Sequence, residues 1–369
     1  MIIKKVMNLK MKIAIMGAGL SGLACAIMLE RHGHSPIIFE KRSQPGDRFI
    51  NAEIIASIFS RPIPDAYRFF SEEYQIFLKP VSQISKLIIH SENAESEVGE
   101  QLGFINIRGR HENAFEQQLA NQVKSKIFCH SGASYEDLLQ EYTHVILATG
   151  DAEYALKLNN YHVDRAVTLK GATVEGEFEQ STIHIWFNNK IAPRGYAYIL
   201  PFSKTEANIV FSYPQLGTTT ENDHELWNTF YKAVCTNLKQ SLKVTDQFHI
   251  KDYLIGSCKY PRIGNTFFTG NCFGTLMPFL GFGQFTSLLT GIYAANDLCG
   301  LGKYEALTKP LLKKYRNSLI LREAFEKLDN QKQDMIVNHM GGFIGERLLR
   351  AGHFPSLRAL SYLLRPFVN

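Results

Sequence analysis

The sequence has no apolar run as long as the roughly eighteen residues that a membrane-spanning helix needs, so no transmembrane segment is predicted. Its formal net charge is only +5 over 369 residues, without concentrated basic blocks, which argues against a nucleic-acid-binding protein. The six cysteines lie far apart, with no C-x-x-C pair and no metal-like Cys/His spacing. We therefore expect reduced, buried thiols in a cytoplasmic protein and no metal site.

The length of 369 residues favours two domains, and a hydrophobic content of 45% suffices for a substantial core. The first ten residues, MIIKKVMNLK, combine lysines with apolar residues, but the apolar strand after them belongs to the fold. We therefore interpret them as a short extension and not as a signal peptide.

The most informative stretch runs from Lys12 to Glu40, with the sequence KIAIMGAGLSGLACAIMLERHGHSPIIFE. A short apolar strand leads into three glycines at the G-x-G-x-x-G spacing, and an apolar-periodic helix follows them. A second apolar run then ends on the acid Glu40. A lone glycine triplet is a weak signal, but strand, glycines, helix, second strand and acid occur here in order.

Each part of this stretch suits a dinucleotide. The first glycine permits a tight turn, the second lets backbone amides approach a pyrophosphate, and the third lets the helix pack against the strand. The pyrophosphate would lie at the positive end of the helix, and the acid would bind ribose hydroxyls. The predicted contacts are Gly17, Ala18, Gly19, Leu20, Ser21, Gly22 and Glu40.

Two later stretches support a cofactor site. A buried strand ends in Ala148, Thr149 and Gly150, a turn of small residues where the backbone passes close to something. In the segment 265–296, a strand and a loop with Pro278, Gly281 and Gly283 lead into a helix. The start of that helix would stabilise negative charge on a cofactor. An ordinary glycine-rich loop between core elements is the alternative.

The loop after Glu40 carries two cations, Lys41 and Arg48, that could reach a phosphate or the cofactor, although solvated loop cations are equally compatible with the pattern. Periodicity predicts strands at 86–90, 104–108 and 248–256, and helices at 113–125 and 222–241. Residues 65–82 are predicted to be helical or irregular.

Residues 167–214 form short β-branched or aromatic segments between polar turns, which predicts an antiparallel sheet inserted into the nucleotide-binding unit. Trp186, Tyr196 and Tyr198 lie in it. They either pack the sheet against a helix layer or line an apolar substrate pocket at the domain junction. Phe279, in the second glycine loop, is a further candidate for the pocket.

The order of these landmarks resembles the FAD-dependent group that includes aromatic-ring hydroxylases, flavin halogenases and geranylgeranyl reductases. The glycine motif with Glu40, the Ala148–Gly150 turn and the second glycine loop are similar to its cofactor motifs. Arg110, before a helix with Phe115 and Leu119, resembles the arginine of the family. The family's G-D motif is Gly270-Asn271 here, so an uncharged Asn271 replaces the usual acid.

Within this group the chain is most similar to the geranylgeranyl reductase-like branch. Residues 195–201, GYAYILP, resemble its G-Y-x-[WY]-x-[FL]-P element. The resemblance implies an enzyme in which reduced FAD delivers a hydride to an alkene of a prenyl or other hydrophobic substrate. NAD(P)H or a reduced carrier would supply the electrons. No catalytic side chain is identifiable.

Two other interpretations stay open, a flavin monooxygenase and a non-enzymatic flavin-binding module. A flavin monooxygenase would use the same scaffold and cofactor residues. A halogenase would carry a W-x-W-x-I-P element, which is absent here. A non-enzymatic flavin-binding module would have its pocket filled by side chains.

The expected fold is α/β, with a Rossmann-like FAD-binding domain of the glutathione-reductase type, an inserted antiparallel β-sheet substrate domain and a helical C-terminal region. We assign residues 1–70, 100–160 and 256–300 to the first, 71–99 and 161–255 to the second, and 301–369 to the third. In residues 343–368, leucines alternate with arginines, which permits either peripheral contact with the inner face of a membrane or a packed helix pair with solvated arginines.

Overall fold

The computed structural model describes residues 11–56, 60–215 and 223–340. The predicted N-terminal extension at 1–10 and the leucine–arginine stretch at 343–368 lie outside these ranges, so membrane contact stays a prediction. Among the described residues, no helix is both long and apolar enough to cross a membrane, and no cluster of metal-ligating side chains occurs.

The described strands, numbered along the chain, are β1 (Ile13–Met16), β2 (Ile37–Phe39), β3 (Asn51–Ala56), β4 (Ser82–His90), β5 (Glu95–Arg108), β6 (Ile127–Phe128), β7 (His144–Leu147), β8 (Tyr161–Glu175), β9 (Thr182–Trp186), β10 (Tyr196–Pro201), β11 (Glu206–Pro214), β12 (Lys243–Cys258), β13 (Arg262–Ile263) and β14 (Thr266–Phe268).

The described helices are α1 (Leu20–Arg31), α2 (Ala66–Tyr74), α3 (Phe115–Ala120), α4 (Tyr135–Glu141), α5 (Glu153–Lys157), α6 (Asp223–Leu238), α7 (Gln284–Leu298), α8 (Tyr304–Glu326) and α9 (Asn330–Met340). A short 3₁₀ turn covers Gly270–Cys272.

The first sheet has the strand order β13-β14-β7-β1-β2-β6 and is parallel apart from the antiparallel β13 at its edge. Its central strands are short and apolar because helices cover both faces, as is usual for parallel sheets. Helices α1 and α7 pack closely here. A Cβ on Gly291 would lie 2.0 Å from the carbonyl oxygen of Ser21, so only glycine permits this approach.

The second sheet has the order β12-β8-β11-β10-β9-β4-β5-β3. Its neighbouring strands are antiparallel except for the parallel pair β4 and β9. Helix α6 packs on one face, where Phe230 and Val234 are buried. The opposite face borders a cavity. The predicted α/β class, Rossmann-like unit, inserted sheet and helical C-terminal region are confirmed.

The structure corrects several predicted elements. The loop expected after Glu40 contains strand β3, which pairs antiparallel with β5. Its polar residues suggested a loop, yet Asn51 is buried and its amide donates to Glu53 at 3.0 Å. Strand β5 extends well before residue 104, and α3 is shorter than the predicted helix at 113–125.

The two sheets do not follow all of the predicted domain boundaries. Residues 51–56 and 103–108, assigned to the cofactor domain, pair with each other within the second sheet. The remaining boundaries stay a prediction.

Candidate functional site

The first glycine turn is held by the packing of the protein itself. Gly17 has φ +111°, and its N–H donates to the carbonyl oxygen of Phe39 at 2.8 Å. A Cβ on Gly17 would lie 2.3 Å from the carbonyl oxygen of Ala148, and one on Gly22 would lie 2.1 Å from that of Gly17. These two glycines are therefore required by the close approach of strand, turn and helix.

Gly19 differs, because the protein leaves the space beside it open. A Cβ there would meet only the carbonyl oxygen of Ala148, at 4.0 Å. Gly19 is the N-cap of α1, and no side chain caps this helix. The open space thus lies at an uncapped helix N-terminus, where amide groups and the helix dipole favour an anion.

Glu40 lies directly beside this turn and is 8% exposed. One carboxylate oxygen accepts the N–H of Ala18 at 2.8 Å, and the other accepts the N–H of Arg42 at 2.9 Å. The structure therefore brings the predicted acid to the glycine turn. Lys41 is exposed and pairs loosely with Asp151, with 3.8 Å between Nζ and Oδ2.

Asn271 fills a role that an aspartate could not fill with the same partners. Its amide nitrogen donates to the carbonyl oxygen of Gly150 at 2.9 Å and contacts the hydroxyl of Tyr253 at 2.7 Å. Its amide oxygen accepts from the Thr275 hydroxyl at 3.1 Å. An ionised aspartate has no donor for the Gly150 carbonyl, so the substitution matches the local hydrogen bonding.

A second helix N-terminus, that of α7, lies across the site. Gly283 is its N-cap, again without a side-chain cap. The next residue, Gln284, donates its amide to Glu53 at 2.6 Å and to Asn106 at 2.5 Å. This cluster could not be predicted from the sequence, because its members come from β3, β5 and α7 and form no motif.

Arg108 completes the cluster, with Glu116 at 2.7 Å and Glu53 at 3.5 Å from its guanidinium. Burial disfavours its charge, but the two carboxylates outweigh burial and raise the pKa of Arg108. The predicted family arginine, Arg110, lies elsewhere. It is about half exposed, pairs with Asp246 at 2.5 Å and does not line the cavity.

A cavity of about 370 Å³ lies between the second sheet and the loop that precedes α7. Its wall includes the predicted residues Arg48, Thr149, Gly150, Pro278, Gly281, Tyr196 and Tyr198. It also includes residues that were not predicted, among them Arg42, Glu53, Asp151, Tyr253 and Arg322. Most of the remaining wall is aliphatic or aromatic.

Tyr196 and Tyr198 face the cavity from β10, with ring centroids 6.3 Å apart. Burial raises the pKa of Tyr196 to about 12 and that of Tyr198 well above its ordinary value, so both hydroxyls are neutral. The structure therefore places both tyrosines at the cavity wall and not in the packing of the sheet against a helix layer.

Two predicted pocket residues pack elsewhere. Trp186 lies on the opposite face of the sheet. Its ring stacks on that of His90, with centroids 4.7 Å apart, and meets that of Phe230 edge-on, with centroids 5.6 Å apart. Phe279 is buried against Phe325, with ring centroids 6.1 Å apart. The prediction that these two line the cavity is wrong, because neighbouring residues in a strand or turn point to opposite sides.

Two segments of the chain match known families. Residues 15–64 match the NAD(P)-binding Rossmann-like domain, and residues 164–247 match the geranylgeranyl reductase catalytic domain. The chain resembles a geranylgeranyl bacteriochlorophyll reductase-like protein of Thermoplasma acidophilum at 14% identity and a TM-score of 0.66, covering 96% of this chain and 99% of that one. It has the fold of the FAD-dependent oxidoreductases.

Other structures with this fold are equally similar. A flavoprotein/dehydrogenase of Cytophaga hutchinsonii has a TM-score of 0.65 at 14% identity, covering 97% of this chain and 100% of that one. The flavin-dependent brominase Bmp2 has a TM-score of 0.67 at 11% identity, with coverages of 97% and 98%. The predicted resemblance to the FAD-dependent superfamily, and within it to the geranylgeranyl reductase-like branch, is confirmed.

The residues present fit the cofactor of this fold. Gly19 leaves a cradle that a side chain would fill, at an uncapped helix N-terminus suited to a pyrophosphate. Arg48 has a buried Nε without a hydrogen-bond partner among the described residues, and its guanidinium borders the cavity. Such an orphaned donor is costly unless a ligand accepts from it.

Proposed function

We propose that the protein is an FAD-dependent oxidoreductase that reduces C=C bonds of a prenyl or other hydrophobic substrate. The observation that carries this proposal is the cavity wall. The segment that matches the geranylgeranyl reductase catalytic domain contributes Tyr196, Tyr198 and Ile185 to it. That wall faces the loop of Pro278 and Gly281, which belongs to the cofactor motif.

In this proposal FAD is held by the turn at 17–22, by Glu40 and by the α7 N-terminus. When reduced, FAD would supply a hydride, and the second hydrogen of the saturated product would come as a proton from solvent or a nearby acid. The aliphatic and aromatic wall binds the hydrophobic part of the substrate and excludes water from it. The neutral tyrosine hydroxyls hold protons at the cavity surface, where they can act as hydrogen-bond donors. NAD(P)H or a reduced carrier is the proposed electron source.

The reaction is tested anaerobically. We would photoreduce the holoprotein, add polyprenyl diphosphates, prenylated lipids or polyprenyl quinones, and follow the oxidised flavin band at about 450 nm. The band returns without oxygen if an alkene accepts the electrons, and the saturated product identifies the bond. A band that returns only after admission of oxygen contradicts the reductase proposal.

Cofactor binding has a separate test in Gly19→Ala. The added Cβ meets no protein atom closer than 4.0 Å, so we expect little change in the stability of the apoprotein. We expect at least a tenfold weaker affinity for FAD, because the methyl group occupies the pyrophosphate cradle. Gly132→Ala is the matched control, since nothing lies within 4 Å of its added Cβ. Equal FAD affinity in both variants would contradict the proposed cradle.

A flavin-dependent monooxygenase is the second candidate. It is favoured by the structural similarity to proteins other than reductases, including the brominase Bmp2 and the tetracycline destructase Tet(51), which has a TM-score of 0.60 at 13% identity. The anaerobic experiment separates the two candidates, because this one requires oxygen to reoxidise the flavin. A non-enzymatic flavin module is disfavoured by the open cavity.

A further inference from the structure

A cationic side chain from the C-terminal helical region lines the cavity. Arg322 lies in α8, is 3% exposed, and borders the same space as Tyr196 and Tyr198. A guanidinium keeps its charge in proteins, and burying one is costly unless acceptors surround it. Its partners therefore decide whether its charge is already used by the fold.

The charge of Arg322 is balanced by a carboxylate that it shares with a second guanidinium. Its Nε donates to Glu326 at 2.6 Å. The same carboxylate accepts from Arg165 in β8, at 3.1 Å. Glu323, about half exposed, approaches only Arg165, at 3.8 Å. Two guanidiniums thus share the Glu326 carboxylate, and Glu323 approaches Arg165, so these four charges balance. Arg322 therefore offers the cavity a charged hydrogen-bond donor and not surplus charge.

Hydrogen-bond donors also remain unused there. Besides its bond to Glu326, Arg322 donates from Nη2 to the carbonyl oxygen of Arg194 at 3.1 Å. A guanidinium has five N–H groups, so donors are left over. Within the described residues the Tyr196 hydroxyl makes no hydrogen bond. The positive charge of Arg322 acts on Tyr196, lowering its pKa against the larger, opposite effect of burial.

The position of the Tyr196 hydroxyl shows where in the cavity a ligand bound by both residues would lie. A Cβ on Gly281 would be 2.9 Å from the Tyr196 hydroxyl oxygen, so that hydroxyl lies against the cofactor-motif loop. A ligand atom bound by both residues would therefore lie at that loop and not at a remote end of the cavity.

We propose that Arg322 and Tyr196 bind an oxygen acceptor of the substrate, a carboxylate or a carbonyl oxygen. The substrate is then a hydrophobic molecule with such a group at one end, and that end lies nearest the Gly281 loop. This inference rests on the proposed function for the reacting alkene, but the binding site itself does not require turnover.

The test measures binding to the oxidised holoprotein by calorimetry. The probes are geranic acid, its methyl ester and the hydrocarbon with the same carbon skeleton, 2,6-dimethyl-2,6-octadiene. We expect the wild type to prefer the acid or the ester over the hydrocarbon by at least tenfold. A preference for the acid over the ester identifies a carboxylate site, and equal affinities identify a carbonyl oxygen.

Variants then assign the preference to the two residues. Arg322→Met should abolish it, Arg322→Lys should keep part of it, and Tyr196→Phe should reduce it severalfold. Arg165→Met is the matched control, because it removes the other guanidinium on Glu326 but does not line the cavity. It should keep the preference. If Arg322→Met does not fold, the lysine and phenylalanine variants still carry the test.

Either of two results overturns the proposal. One is a wild type that binds all three probes equally. The other is equal loss of preference in the Arg322 and Arg165 variants, which would mean that Arg322 only ties α8 to the sheet. Neither result depends on reoxidation of the flavin by an alkene, so failure of this site and failure of the proposed reaction are distinguishable.

Discussion

The two faces of strands β9 and β10 differ although their residues alternate along the same short segments. Trp186, Ala197 and Ile199 point toward α6 and are buried in closed packing. Ile185 and Tyr198, which pair with each other in register, point into the cavity. Moving one position along such a strand therefore changes an aromatic residue from one packed against α6 to one that faces the cavity. Residue type alone does not distinguish the two positions.

Trp186→Ala should produce the largest effect. Deleting a buried tryptophan costs about 3–5 kcal/mol of unfolding free energy, and here it also removes the stacking partner of His90 and His184. Chemical denaturation measures the loss. Probe affinity, measured under conditions in which the variant is folded, should stay within about twofold. A large drop in affinity with little loss of stability would place Trp186 at the cavity after all.

The next effect compares two isoleucines of the same sheet. Ile199 is 1% exposed on the α6 face, so Ile199→Ala should cost about 2–5 kcal/mol. Ile185 borders the cavity and already lacks partners on one side, so Ile185→Ala should cost about 1 kcal/mol. Denaturation of both variants checks the difference. Equal losses would mean that the cavity face is packed as tightly as the α6 face.

A fall in pH should lower the unfolding free energy through the two histidines on the α6 face of the second sheet. His90 Nε2 and His184 Nδ1 lie 2.9 Å apart. Burial lowers the pKa of each ring from 6.5 to about 4. Their neighbours are Glu95, 3.1 Å from His90, and the Asn237 amide. As the pH falls, the histidines of the unfolded chain take up protons near pH 6.5, whereas those of the folded chain do so only near pH 4. The contribution of this pair to the unfolding free energy should therefore be complete above pH 6.5 and be lost between pH 6.5 and 4.

A pKa shift from 6.5 to about 4 corresponds to roughly 3 kcal/mol for each ring, so a loss of that order is expected, measured as unfolding free energy against pH. His184→Asn should reduce the slope in that interval, because one of the two titrating rings is removed. An unchanged slope would show that other groups cause the acid sensitivity.

Tyr198→Phe should give the smallest change in stability, about 1 kcal/mol or less, since the ring stays at the cavity wall and only the hydroxyl, which interacts with Asn51, is lost. The thermal midpoint should barely move. A loss above about 2 kcal/mol would instead make this hydroxyl part of the packing.

The sequence predicts the first sheet and its glycine turn well because they are encoded locally. The turn at 17–22 and Glu40 lie within thirty residues, and their spacing reflects a single supersecondary unit. The second sheet was also predicted, since β8 to β11 have clear turns between them. Strand β3 was missed because its buried polar residues are satisfied by partners far along the chain, such as Gln284.

The wall of the cavity could not be predicted in the same way. Arg322 lies in a helix of mixed composition, and only tertiary packing turns it toward the cavity. Arg110, the predicted family arginine, is about half exposed and pairs with Asp246, whereas Arg108, two positions earlier, is buried, and only the fold distinguishes the two environments.

The order of the cavity-lining residues along the chain has a consequence for synthesis. Strand β7 pairs with β1 and with β14, so the first sheet is complete only after residue 268 has left the ribosome. The cavity wall then still lacks Arg322, some fifty residues later. A nascent chain can therefore form its nucleotide turn early but gains a closed cavity only near the end of translation. Under the proposed function, cofactor loading can then precede substrate competence in the life of each molecule.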